Sequence, residues 1–385
     1  MPPIQLLIKP VSGTCNLKCS YCFYCDEMEK REKANYGFMS EGMLETAVKE
    51  TLRYARGRCG FAFQGGEPTL AGLPFYRKLL EFQEKYNTNK VSVTNAIQTN
   101  GYGITREWAQ FLAENHFLVG VSLDGTKYTH DAYRRTPQGE GTFARIMDGI
   151  ALLEKHHAEF NILTVVNRRT AQAVSKLYSF YQKHGWRYLQ FIPCLDPMGE
   201  EPGEREYSLT PKMYGEFLCR LFDLWYEDLK KGKQPYIRLF ENYIAILMGY
   251  EAEACDQRGC CSVQYVTEAD GSVYACDFYV TDEFYLGRFG ENSLEEMRRK
   301  GEELGFDGRE RAGQEACLGC PCYRLCRGGC RRHWSRGRNY FCPGFRAFFQ
   351  ACLQECLRLP KSCNPECTRG CKGARMSCII WDLLV

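Results

Sequence analysis

Cys15, Cys19 and Cys22 stand in the spacing CxxxCxxC, in the run Cys15-Asn16-Leu17-Lys18-Cys19-Ser20-Tyr21-Cys22, directly after a short apolar segment. Three thiolates on one loop can hold three irons of a [4Fe–4S] cube and leave the fourth iron open to a small molecule. An open coordination position is what makes a metal centre reactive rather than structural. The competing readings are a share of a zinc site, or three unconnected thiols. The chain carries 23 cysteines but only 6 histidines, and so many thiols with so few imidazoles favour iron–sulfur over zinc.

A second set of thiols begins at Cys255. Cys261 precedes Gly271 and Cys276, then come Cys317-x2-Cys320-x5-Cys326-x3-Cys330 and, further on, Cys342. A zinc ribbon built from Cys317/Cys320 and Cys326/Cys330 is the alternative here, because CxxC pairs are generic. Between the two sets lie polar segments placed where apolar runs end, Phe63-Gln64-Gly65-Gly66-Glu67-Pro68, Gln98-Thr99-Asn100-Gly101 and Ser122-Leu123-Asp124-Gly125, and after them comes Tyr133-Arg134-Arg135. A Gly-Gly pair lets backbone approach a ligand closely, and an Arg fork suits a carboxylate. Taken alone, the Gly-Gly turn is weak evidence and Arg134 reads as a surface charge.

The elements that must position these groups are legible as alternating short apolar runs and amphipathic stretches. Ile4–Lys9, Gly60–Gln64, Val91–Thr99, Leu118–Leu123, Phe160–Val166 and Tyr188–Pro193 read as strands. Ser40–Tyr54, Leu73–Tyr86, Thr105–Asn115, Thr142–His157 and Thr170–His184 read as the helices between them. Strands separated by single helices imply βα units and a parallel sheet. Six units suit an open or partial (β/α) barrel, with function at the C-terminal strand ends. A helix over Pro211–Lys231 follows, and a domain boundary is expected between 235 and 250. The expected division is 1–235 for the α/β core, 236–350 for a cysteine-rich extension and 351–385 for a tail.

With Tyr21 as the aromatic before the third cysteine, the first loop resembles the radical-AdoMet superfamily motif CxxxCxΦC. The Gly65-Gly66-Glu67 segment looks like that family's GGE element. The later array resembles the SPASM extension of peptide-modifying radical enzymes. That resemblance implies a partial (β/α)6 TIM-like barrel, S-adenosylmethionine (AdoMet) and three [4Fe–4S] clusters. It places one cluster on Cys15, Cys19 and Cys22. A nearer auxiliary cluster would lie on Cys255, Cys261, Cys276 and Cys330, and a farther one on Cys317, Cys320, Cys326 and Cys342. Cys260 adjoins Cys261, and spacing admits either. AdoMet would be met by Tyr21, Gly65, Gly66, Glu67, Ser122, Arg134 and Leu195.

Along residues 1 to about 350 the chain is similar to the anaerobic sulfatase-maturating enzymes. The likeness is carried by Leu6–Pro10, Cys22-Phe23-Tyr24, Phe61–Pro68, Leu189–Pro197, Asp270–Tyr279 and Cys326–Arg331. It implies oxidation of a Cys or Ser in a nascent sulfatase, within C/S-x-P/A-x-R, to Cα-formylglycine. Asp277 would be the base, Tyr24 and Gln64 would line the space between AdoMet and peptide, and flavodoxin or ferredoxin would supply electrons. Without the resemblance, Asp277 reads as a turn residue capping local amides.

A thioether-forming maturase is the first rival; those commonly carry an N-terminal recognition domain, for which residues 1–14 leave no room. A non-catalytic iron–sulfur carrier is the second, and would have no need of an AdoMet pocket. The balance of 50 basic and 47 acidic residues gives no footprint for nucleic acid. No run of about 20 apolar residues predicts a membrane span. The opening residues lack the features of a signal peptide, so a cytoplasmic location is expected; a monomer is expected as well. Cys25 reads as an incidental thiol. In the tail, Cys363-x3-Cys367-x3-Cys371 admits either a further metal or free thiols.

Overall fold

The computed structural model describes residues 3–306 and 315–358. The expected tail site at Cys363, Cys367 and Cys371 lies outside the described residues. Six strands, β1 (Ile4–Ile8), β2 (Arg58–Phe63), β3 (Ser92–Thr99), β4 (Leu118–Ser122), β5 (Phe160–Val166) and β6 (Tyr188–Pro193), pair in sequence order, all parallel. Between them run α1 (Phe23–Glu29), α2 (Glu41–Tyr54), α3 (Gly72–Tyr86), α4 (Arg106–Glu114), α5 (Lys127–Tyr133), α6 (Phe143–Lys155), α7 (Arg168–Gln172) and α8 (Val174–Lys183).

The apolar period explains how each layer finds the other. Helix α2 buries Leu44, Ala47, Val48 and Leu52, one stripe at helical spacing, and Ser40 caps it by accepting the Met43 N–H. Strand residues Leu6, Ile8, Phe61, Phe63, Ile97, Val119, Val121 and Ile162 form the buried sheet side of the same core. Register aligns the C-terminal ends of the first strands, with Ile8 opposite Phe63 and Phe63 opposite Ile97. The polar segments that end β2, β3 and β4 therefore emerge along one rim.

The sheet does not stop where the domain boundary was expected. β7 (Tyr236–Ile237) adds to β6, and β8 (Val266–Thr267) adds in parallel to β1. β9 (Ser272–Tyr274) and β10 (Tyr285–Arg288) then extend that flank antiparallel. The ten strands run β10-β9-β8-β1-β2-β3-β4-β5-β6-β7 and stay open among the described residues. Both flanks of the six-stranded core thus come from the segment after residue 235.

Three local differences from sequence expectation have physical causes. The single helix expected over 170–184 is two, α7 and α8. Asn167 starts the first early by accepting the Arg169 and Thr170 N–H groups, and Ala173 leaves helical geometry. Helices α1 and α5, of 7 residues each, went unforeseen because so short a helix has little periodicity and depends on packing. Beyond the sheet lie α9 (Pro211–Lys230), α10 (Arg238–Leu247), α11 (Leu294–Glu303), α12 (Glu315–Leu318), α13 (Tyr323–Cys326) and α14 (Cys342–Arg358). Helix α14 is fastened to α9 by aromatic pairs, Tyr214 with Phe345 at 5.6 Å and Phe222 with Phe348 at 5.9 Å. No helix of the described residues is long and apolar enough to cross a membrane.

Candidate active site

The first cysteine loop joins β1 to α1 and is pinned from outside. Lys18 N–H donates to the Arg135 carbonyl at 2.7 Å and Ser20 N–H to the Tyr133 carbonyl at 3.0 Å. Cys15 Sγ accepts the Leu17 N–H at 3.4 Å and Asn100 Nδ2 at 3.7 Å, the kind of donors that a ligating sulfur receives. Burial pushes the Cys15 thiol up to about 11 and Cys19 up to about 12, and each feels the charge of Cys22. Cys22 is instead pulled down to about 6, chiefly by a hydrogen bond from Cys25. Clustered thiols whose ionisation is opposed by burial suit a cationic centre, which replaces their protons with metal. Among the described residues no group of His, Cys, Asp or Glu converges on a single metal ion. A cubane makes no such demand, since each thiolate meets its own iron. The donor set fits a cluster.

Gly65 and Gly66 make room for protein. A Cβ on Gly65 would lie 2.6 Å from Lys9 Cγ, and one on Gly66 would lie 2.1 Å from the Thr14 carbonyl oxygen; both glycines have positive φ. Glu67 has its carboxylate wholly engaged. Oε1 accepts the Thr69 N–H at 3.1 Å, Thr69 Oγ1 at 2.6 Å and Thr99 Oγ1 at 2.7 Å, while Oε2 accepts the Asn100 N–H at 2.7 Å. Its own N–H donates to the Thr14 carbonyl at 2.9 Å. Glu67 therefore ties the ends of β2 and β3 to the cysteine loop, and only main-chain oxygens of this segment are left for a ligand amine.

Tyr21, Asp124 and Arg134 form a buried knot beside the loop. The Tyr21 hydroxyl donates to Asp124 Oδ2, Arg134 Nε donates to the same oxygen at 3.0 Å, and the Val165 N–H reaches Oδ1 at 3.0 Å. The Arg134 guanidinium lies 5.4 Å from the Tyr21 ring centroid. Arg134, expected as a free fork, is thus oriented by Asp124 through Nε. Ser122 Oγ accepts Gln98 Nε2 at 3.1 Å, and Leu195 is buried just past β6.

Asp277 reaches this rim from the far end of the chain. Tyr24 OH donates to Asp277 Oδ2 at 2.9 Å, Gln64 Nε2 donates to that oxygen at 2.8 Å, and Gln64 Nε2 also lies 2.7 Å from the Tyr24 oxygen. Asp277 is 6% exposed, and its other oxygen, Oδ1, is buried without a partner. Burial pushes its carboxyl above the ordinary range, opposed by the charge of Lys9 and the Tyr24 hydrogen bond. A carboxylate with one oxygen anchored and the other free is arranged to accept a proton.

The later thiols fall into two groups. The charges of Cys255 and Cys261 act on Cys330, and those of Cys330 and Cys255 act on Cys276. Burial pushes Cys330 up to about 12. Cys342, Cys317 and Cys320 together act on Cys326, pushed up by burial to about 11. Cys255, Cys261, Cys276 and Cys330 thus interact as one group and Cys317, Cys320, Cys326 and Cys342 as another, and the charge of Cys261 acts on Cys255.

Sequence reasoning missed the buried charges behind Asp277. Lys9 Nζ lies 3.3 Å from Glu27 and 3.1 Å from Glu268, and Arg31 Nη1 lies 2.6 Å from Glu268. Lys9 had a signal: a lysine directly after an apolar strand whose Ile4, Leu6 and Ile8 are buried. Glu27 and Glu268 had none.

The Radical SAM superfamily model matches residues 10–181. The chain is 44% identical to the cysteine-type anaerobic sulfatase-maturating enzyme of Clostridium novyi (strain NT), over 94% of this chain and 98% of the relative. It is 33% identical to the serine-type enzyme of Bacteroides thetaiotaomicron, over 90% of this chain and 89% of the relative. A solved structure of native anSMEcpe with bound AdoMet and Kp18Cys peptide superposes with a TM-score of 0.87 at 43% identity, covering 92% of this chain and 98% of that one.

Proposed function

Since the chain belongs to the anaerobic sulfatase-maturating enzymes of the radical SAM superfamily, we propose that it oxidises a Cys or Ser of a sulfatase to Cα-formylglycine with Asp277 as the base. The observation that carries the residue assignment is the convergence of Tyr24 and Gln64 on one oxygen of Asp277, with the other oxygen buried and free. It is an AdoMet-dependent oxidoreductase whose substrate is a polypeptide segment. The greater identity to the cysteine-type relative, 44% against 33%, favours a Cys target.

When loaded, the first cluster and AdoMet would supply radical chemistry for hydrogen-atom removal, and the two auxiliary clusters an electron sink. Cys15, Cys19 and Cys22 would hold the first cluster. Cys255, Cys261, Cys276 and Cys330 would hold one auxiliary cluster; Cys317, Cys320, Cys326 and Cys342 would hold the other. Gly65, Gly66 and Glu67 would receive the AdoMet amine through main-chain oxygens, and Arg134, aimed by Asp124, would serve its carboxylate. Tyr21 and Ser122 would brace that pocket, and Leu195 would line the adenosine side.

The residues then handle a two-electron oxidation at the target Cβ: a hydrogen atom, a proton and an electron leave. Asp277 Oδ1 takes the proton, while Tyr24 and Gln64 hold Oδ2 still. A Ser target yields the aldehyde directly. A Cys target yields a thioaldehyde, which water hydrolyses with loss of hydrogen sulfide. The enzyme works as a cytoplasmic monomer on nascent or unfolded sulfatase bearing C/S-x-P/A-x-R, reduced by flavodoxin or ferredoxin. Residues 1–235 form the radical core, 236–350 the auxiliary-cluster region and 351–385 a tail.

The test is anaerobic incubation of reduced enzyme, AdoMet and a peptide with that motif. Mass spectrometry is expected to show a loss of about 18 mass units for Cys and about 2 for Ser, from the atom balance of the oxidation. Formation of 5′-deoxyadenosine with the peptide unmodified would overturn the assignment of substrate.

A further inference from the structure

One face of α1, continued just past its end, makes successive contacts with the segment that bears Asp277. Phe23 packs edge-on against Phe278 at 4.9 Å, Tyr24 donates to Asp277, and Glu27 Oε1 accepts the Val280 N–H at 3.3 Å. Arg31 continues the face to Glu268. Residues 23, 24 and 27 share one side of α1 by their spacing, and Arg31 follows just past its end. They bind a stretch of chain about 250 residues away.

Glu27 is central to this contact. It is 1% exposed. Its Oε2 lies 3.3 Å from Lys9 Nζ, and Lys9 Nζ in turn lies 4.7 Å from the Tyr24 ring centroid. Both carboxylate oxygens therefore have a donor, one from Lys9 just after β1 and one from the Asp277 segment. The mechanism above uses none of this. A buried carboxylate between two donors is costly unless both are satisfied, so its removal moves whichever partner is freer. That partner is the Val280 end of the Cys276–Val280 segment, whose N–H is held by Glu27, since Lys9 has Glu268 as a second anchor.

We propose that Glu27 is a positioning residue for the reaction: it ties the Asp277 segment to α1 and thereby holds the Asp277 carboxylate on Tyr24 and Gln64. The proposal rests on the reading of Asp277 as the base. It requires that disturbing Glu27 separate AdoMet cleavage, which needs the first loop, from product formation, which needs Asp277 in place.

Glu27→Gln in the fully reconstituted holoenzyme tests this. Glutamine has the same volume but offers one acceptor oxygen to two donors. The expected result is 5′-deoxyadenosine formation within about threefold of wild type and formylglycine reduced about tenfold. Amide hydrogen exchange across 276–280, read by mass spectrometry, is expected to quicken. A wild-type ratio of 5′-deoxyadenosine to formylglycine would overturn the proposal. So would parallel loss of iron, cleavage and product, which would mark Glu27 as a fold residue only. Asp277→Asn, run alongside, separates the two ideas. Unchanged product in that variant defeats the base assignment; lost product there, with a wild-type ratio in Glu27→Gln, defeats only the role of Glu27.

Discussion

Lys9 occupies the space that a side chain on Gly65 would need: its Cγ lies 2.6 Å, and its Cε 2.7 Å, from the position of a Cβ there. Gly65 also has φ +87°, where other residues are strained. Gly65→Ala is therefore expected to displace Lys9 from Glu27 and Glu268 and to cost on the order of 3 kcal/mol. A lowered thermal unfolding midpoint with reduced iron content would show it; wild-type stability would mean that Lys9 can take another path.

Asp277→Asn removes the proton acceptor and keeps the shape. Product is expected to fall by about 100-fold or more while 5′-deoxyadenosine continues to form. Quantifying both by liquid chromatography and mass spectrometry separates them, and unchanged product would dismiss Asp277 as the base.

Glu67→Gln exchanges an acceptor for a donor among groups that all donate. We expect a stability loss of about 1–3 kcal/mol, with AdoMet affinity within about threefold by equilibrium dialysis. A large loss of affinity at unchanged stability would mean that the carboxylate itself meets AdoMet.

Glu241, on α10, is buried with one oxygen unpartnered, and burial pushes its carboxyl up to about 8. With the folded value above the unfolded one, its neutral form favours folding at low pH. That contribution fades as pH rises from about 4.5 to about 8, because the native state then holds the extra proton. Glu241→Gln is expected to be more stable than wild type at pH 8 and to flatten the pH dependence of the unfolding midpoint. An unchanged pH profile would place the proton elsewhere.

Replacing Cys15, Cys19 and Cys22 together by Ala is expected to lower iron from roughly 12 to roughly 8 atoms per chain, one cube of four irons, and to abolish 5′-deoxyadenosine. Iron analysis of the anaerobically reconstituted protein measures this directly. A fall to roughly 4 would show that the auxiliary sites depend on the first.

Sequence alone determined what is local. The thiols of CxxxCxxC lie on one loop, so their spacing already fixes which sulfurs can share a centre. Each of the six core strands and their long helices has its own apolar period. The family resemblance added Tyr24, Gln64 and Asp277 as residues of one site, although nothing in their spacing joins them. Tertiary structure decided what depends on chain-distant pairing. β8 joins the edge of β1, carrying Glu268 to Lys9 and bringing Asp277 over Tyr24. The same packing turns the Glu67 carboxylate into protein, aims Arg134 with Asp124 and splits the sequence-predicted domain boundary across one sheet. The reason is physical: a buried charge gains its partner only when separate elements pack, and no local pattern records which partner that will be.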